Sequence, residues 1–139
     1  ADTVETILGQ ITIVQQELGH EGTLLYVDIV GVFTANGNGK RIRAYISSAL
    51  CFDSGVIASI SAVAWRLTLQ ILAKTISSQT VHAQFCINAA SPLLTRTLTT
   101  ANANIAVPIK VTGTNSTATL GEITLDWMRL LCNQTPQGG

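Results

Sequence analysis

The chain has 139 residues, enough for one domain with its own core. Hydrophobic residues make up 47% and charged ones 12%, with eight acidic and eight basic side chains that cancel; soluble domains usually carry about 25% charged residues. Zero net charge argues against nucleic-acid binding, which needs a surplus of Lys and Arg to displace counterions, and no apolar run reaches the ~20 residues of a membrane span.

The start, Ala1-Asp2-Thr3, has neither a basic leader nor a signal-peptide core. It reads as a cytosolic product that lost its initiator Met, although a processed secreted chain would look the same. Val4, Ile7, Ile11, Val14 and Leu18 follow at alternating spacings of three and four, an a/d seam whose β-branched members suit a trimer better than a dimer. The rival reading is a strand through Gln10–Gln15. Residues 1–21 are therefore expected to form an N-terminal arm, helical or extended, and those five apolar residues are its candidate oligomer or anchor contacts. Residues 22–132 are expected to form the globular part and 133–139 a loose tail.

From Leu24 the pattern changes to period two. Leu24–Phe33 is an expected strand, apolar on nearly both faces, with Asp28 as the exception. A loop over 34–39 leads into an expected strand from Lys40 to Leu50. Asp53-Ser54-Gly55 reads as a turn, and Val56–Ile60 as a short strand. Trp65–Lys74 alternates most clearly, turns at Ser77-Ser78-Gln79, and returns through Val81–Asn88. Pro92–Thr99 is a weaker, more exposed strand. Ile105–Val111 is another, in which Pro108 suits an edge or a bulge. The last segment, Glu122–Leu131, fits either a strand or a helical stripe, and the antiparallel context favours the strand. About eight strands separated by short polar turns indicate an all-β, two-sheet antiparallel sandwich or jelly roll.

No reaction chemistry emerges from the motifs. Gly39-Lys40 invites comparison with a phosphate loop, but Thr34 stands where the first Gly belongs and Arg41 where Ser or Thr belongs. A strand follows rather than a helix, so a hairpin connection is the preferred reading of Thr34–Gly39. Asp28 is expected to pair with Arg41 or Arg43 across that hairpin. His20 and His82 lack partners at ligand spacing, and Cys51, Cys86 and Cys132 form no CxxC and read as buried free thiols. Glu122 and Asp126 read as surface residues. Trp65 and Trp127 both lie on the apolar parity of their strands and read as core rather than as a sugar platform. No catalytic residue, cofactor or metal is expected.

Three segments carry a resemblance. Val27–Phe33 through Asn36–Ile46, with its Gly-Lys loop, is similar to the opening hairpin of small jelly-roll modules in virion proteins of tailed bacteriophages. Ala64–Ile71 with Thr80–Phe85 resembles the Trp-led strand and its return, and Ile109–Thr112 with Thr124–Trp127 the closing pair. Such modules occur as capsid decoration (cement) proteins, head fibres and tail knobs, usually as trimers and without a catalytic motif. The resemblance implies a non-enzymatic structural protein of the virion, made in the host cytoplasm. Its implied partners are two further copies and the major capsid protein or another virion protein, with no nucleic acid and no membrane. A short arm fits gripping a capsid better than a fibre shaft. A receptor-binding knob or lectin-like module is the alternative.

Overall fold

The computed structural model describes residues 5–15, 19–34, 38–57, 63–87, 92–115 and 123–133, with residues 132 and 133 described by their backbone alone. Among the described residues nine strands form: β1 (Thr6–Ile13), β2 (Leu24–Phe33), β3 (Lys40–Ile46), β4 (Ala49–Asp53), β5 (Val63–Thr75), β6 (Ser78–Ile87), β7 (Leu93–Thr99), β8 (Val107–Asn115) and β9 (Ile123–Asn133). They make two antiparallel sheets, a four-stranded one ordered β1-β8-β3-β4 and a five-stranded one ordered β7-β6-β5-β2-β9. The sheets pack face to face as the expected β-sandwich, with β1 over β9 on one side and β4 over β7 on the other.

The period-two pattern explains the core. Along β5, Trp65, Leu67, Leu69, Ile71 and Ala73 point inward and are at most 1% exposed. Leu25, Val27, Ile29 and Phe33 of β2 do the same, and meet Ile42, Ala44 and Ile46 of β3 and Val107, Ile109 and Val111 of β8. Packing is tightest at Gly31. A Cβ there would lie 2.1 Å from the Thr124 carbonyl oxygen and 2.4 Å from Cζ2 of Trp65. The indole lies against bare backbone and also packs on Phe33 and Phe85, at centroid separations of 5.9 and 6.4 Å.

Several expectations need correction. The loop over 34–39 is not a hairpin, because β2 lies in the five-stranded sheet and β3 in the four-stranded one. The expected closing pair is likewise split between the sheets, whereas β5 and β6 do form the expected hairpin. The segment from Lys40 to Leu50 is two strands. It turns at Ser47, whose φ of 55° is left-handed, and returns as β4. Of the expected strand Val56–Ile60, Val56 is exposed and in no strand, Ile57 makes an isolated bridge to Lys40, and residues 58–60 lie outside the described residues. Pro108 is on no edge: it is the second residue of the inner strand β8, just beyond the ladder that β3 contributes. That position asks for no N–H on the β3 side.

The N-terminal segment is extended and paired with β8. A register slip between Ile7 and Gly9 changes which residues face inward. Ile11 and Ile13 pack on the core while Ile7 is 56% exposed on the outer face. Ile7 and Ile11 therefore share no face. Val14, just past the strand, is exposed, and Val4 and Leu18 lie outside the described residues.

Candidate functional site

The loop that most resembled a phosphate grip offers no such grip at Lys40. This lysine is the first residue of β3 on the inward parity, opposite to Arg41 and Arg43, and is fully buried. Its ammonium donates to the Asn38 carbonyl at 3.0 Å, and its backbone exchanges hydrogen bonds with Ile57 at 2.8 and 2.7 Å. Gly39, Lys40, Arg41, Val56, Thr114 and Asn115 enclose a small hollow of about 120 Å³.

The basic residues after Lys40 belong to a polar belt across the outer face of the four-stranded sheet. Arg41 grips Asp53 in bidentate fashion, donating from Nε at 2.7 Å and from Nη2 at 2.5 Å. Arg43 donates from Nε to Asp53 at 3.1 Å and from Nη1 to Glu5 at 2.8 Å. Glu5 also accepts from the Tyr45 hydroxyl at 2.5 Å and from Thr112 Oγ1 at 2.7 Å. Side chains before β1 and on β8, β3 and β4 thus link all four strands. Sequence alternation placed Arg41, Arg43 and Tyr45 on one face, but nothing local in the chain marked Glu5 or Asp53 as their partners.

The belt is electrostatically satisfied. The Arg41 guanidinium, together with the Gly55 N–H and Arg43, holds the Asp53 carboxyl well below the usual range despite partial burial. Burial pushes Glu5 up, but hydrogen bonds from Tyr45, Thr112 and Arg43 outweigh it and hold the carboxyl low. Burial and the Glu5 carboxylate together raise the Tyr45 hydroxyl. Each carboxylate is ionised and hydrogen-bonded to fixed donors, which is the opposite of what a general acid requires.

The outer face of the five-stranded sheet is different. Asp28 is only 6% exposed although it points away from the core. Its partner is Arg66 on the neighbouring strand β5, at 2.9 and 2.5 Å, rather than Arg41 or Arg43. The separation of β2 and β3 between sheets puts the expected partners out of reach. Around this pair, Tyr26 lies opposite Leu131, and Val30 opposite Trp127. Trp127 is not core. The β2–β9 register slips at Val30/Gly31, so Leu125 and Met128 both pack inward while Trp127 turns outward, 41% exposed with Arg129 5.3 Å from its ring. A bulge of this kind carries no local sequence signal strong enough to override parity.

Across β5, β6 and β7 the same face carries a shallow hollow of about 160 Å³, lined by Thr68, Gln70, His82, Gln84, Leu94 and Thr95. His82 is exposed there, and His20 is exposed in the connection before β2. Among the described residues, no three His, Cys, Asp or Glu side chains gather as a metal site. Cys51 is buried, and loss of hydration pushes its thiol up to about 12, which removes nucleophilic character. Cys86 is half-buried, and neither of the two is in a disulfide. Glu122 and the side chain of Cys132 lie outside the described residues, and Asp126 is exposed at the bulge.

One polar cluster was missed entirely. Gln79, 1% exposed on β6, accepts from Thr99 Oγ1 at 2.8 Å and from the Ala101 N–H at 3.0 Å, and donates to the Ala101 carbonyl at 2.9 Å. It thereby satisfies the backbone of the connection from β7 to β8. In sequence it read only as part of a turn.

Large apolar side chains are exposed on all four edge strands: Ile7 on β1, Leu50 on β4, Leu93, Leu94 and Leu98 on β7, and Trp127 and Leu131 on β9. Compared with family models, curated proteins and solved structures, the chain finds no match.

Proposed function

We propose that this chain is a non-enzymatic structural subunit of a virion, a capsid decoration protein that assembles with copies of itself and with the major capsid protein. The observation that carries this reading is the distribution of surface chemistry. Arg41, Arg43, Asp53 and Glu5 on the outer face of the four-stranded sheet are paired with one another, while leucines and a tryptophan stand exposed along the sandwich edges. Such a surface has little to offer a charged substrate and much to gain from burial against protein. The test is to mix the purified chain with capsids lacking minor surface proteins. The expected result is co-sedimentation at fixed stoichiometry and a higher particle melting temperature. Particles that sediment alone, with an unchanged melting temperature, would overturn it.

The hollow of Thr68, Gln70, His82 and Gln84 favours a second reading, a receptor-binding knob that recognises a neutral glycan through amide and hydroxyl groups. Glycan-array binding lost in Gln70→Ala would select it over the first.

A further inference from the structure

We infer that β7 pairs antiparallel with β7 of a second copy across a two-fold axis, joining two five-stranded sheets into one of ten strands. The inference rests on the reading of the chain as a self-assembling subunit, and it names the surface.

Four strands lie at sheet edges, and proteins usually blunt such edges with bulges, prolines or charges because an open edge templates pairing. Three of the four are interrupted by a bulge. The β1 ladder slips at Ile7/Gly9, the β4 ladder at Ala44/Tyr45 and the β9 ladder at Val30/Gly31. The β6–β7 ladder runs unbroken from Gln79↔Thr99 to Phe85↔Leu93. Its only charge is Arg96, and Pro92 precedes it. Leu94 and Leu98 project outward at 68% and 66% exposure.

A second observation lies on the same side. Between β4 and β7, which Thr97 Oγ1 bridges by donating to the Cys51 carbonyl at 3.3 Å, Leu50, Cys51, Phe52, Asp53, Thr95 and Thr97 line a surface groove of about 240 Å³. Leu50 is 45% exposed beside it, and Leu93 is 43% exposed on the inward parity of β7. A neighbour continuing the sheet past β7 would cover both leucines, the groove and the outward leucines together.

The sequence of β7 favours a second copy of this chain as that neighbour. Outward Leu94, Arg96 and Leu98 alternate with inward Leu93, Thr95, Thr97 and Thr99, and reversal about Thr95 brings Leu94 opposite Arg96 of the partner subunit and Leu98 opposite Pro92 of the partner subunit. An isologous contact needs that self-complementarity. An axis through Arg96 would set two guanidinium groups opposite each other, which disfavours it. An axis through Thr95 instead sets Leu94 against Arg96 of the partner subunit, where the aliphatic stem covers the leucine.

Light scattering between about 1 and 100 µM, with hydrogen exchange at both ends of the range, tests this. The expected results are a mass of two chains, or an even multiple, and slower exchange of the 93–99 amides at high concentration. Leu94→Lys faces Arg96 of the partner subunit twice and should weaken association at least tenfold. Leu94 is largely exposed, so the circular dichroism should not change. A wild-type monomer at 100 µM, open-ended aggregates, or a mass unchanged in the Leu94→Lys/Leu98→Lys variant would each overturn the inference, as would concentration-independent exchange of β7. A monomeric Leu94→Lys that still binds capsids upholds the edge contact and the virion reading alike. A dimer that binds no capsid upholds the edge contact and sinks only the virion reading.

Discussion

Gly31→Ala is the most informative single perturbation of this fold. The added methyl would stand 2.1 Å from a backbone oxygen of β9 and 2.4 Å from the Trp65 indole. Gly31 is not among the residues of left-handed φ, so the penalty is steric rather than conformational. Neither neighbour gives way easily: the Thr124 carbonyl sits beside the β2–β9 bulge, and Trp65 is 1% exposed between Phe33 and Phe85. Overpacking a core costs about 1–3 kcal/mol, and losing a buried aromatic about 3–5 kcal/mol. The substitution must split the ladder or displace the indole, so about 3 kcal/mol or more is expected. For a domain of this size that lowers the melting temperature by roughly 10 °C. Urea unfolding followed by tryptophan emission measures it, in a Trp127→Phe background so that only Trp65 reports. Trp65→Leu makes room for the methyl, so the Gly31→Ala/Trp65→Leu pair, followed by far-ultraviolet circular dichroism with Trp127 left in place, should cost less than the sum of its parts. A midpoint shift below about 0.5 kcal/mol with native emission would refute the close approach, since that is the scatter of neutral surface substitutions. Gly9 is the control: its Cβ would meet only the flexible Leu125 Cδ1 at 3.0 Å, so Gly9→Ala should cost under about 1 kcal/mol.

Three further outcomes are expected. Gln79→Leu leaves the Thr99 hydroxyl and both backbone groups of Ala101 without their partner, and should cost about 2–4 kcal/mol by urea titration, with faster amide exchange at 101. Asp53 and Glu5 have folded pKa values below their unfolded ones, so their contribution to stability is complete above about pH 5 and is lost as pH falls further; Asp53→Asn should flatten the dependence of the urea midpoint on pH below about 5. At pH 8 a water-soluble disulfide reagent should spare Cys51 in the folded chain and modify it only after unfolding, whereas the half-buried Cys86 should react first; equal rates would contradict the burial of Cys51.

The strands whose two faces differ most in polarity were the legible ones. From Trp65 to Gln70 in β5 and from Val81 to Phe85 in β6 apolar and polar residues alternate, and there the chain reads as it folds. What failed was whatever depends on which strand lies beside which. A loop of Asn and Gly permits a tight hairpin equally well as a passage between sheets, so the partner of Asp28 was assigned to the wrong strand. Ser47 turns the chain in a left-handed conformation that its residue type does not advertise. One extra residue near Asp126 reverses the parity of β9, which moved Trp127 from the expected core to the surface. The ion belt was half visible, because a period of two aligns Arg41 with Arg43. Their acids come from chain positions that only the closed sheet brings near.

The pairing of β1 with β8 also has a consequence in time. Thr6 takes Gly113 as its ladder partner, and Glu5 reaches a threonine 107 positions along the chain. At the other sheet's edge, Leu24 waits for Asn133. During synthesis the hairpin of β5 and β6 can close on itself at once, while β1 has no ladder partner until β8 has left the ribosome. Non-local pairing of this kind folds slowly and leaves apolar strands open meanwhile. Truncation anywhere before β8 would therefore strand β1 without its neighbour, so the four-stranded sheet is in effect a check that translation has passed Asn115.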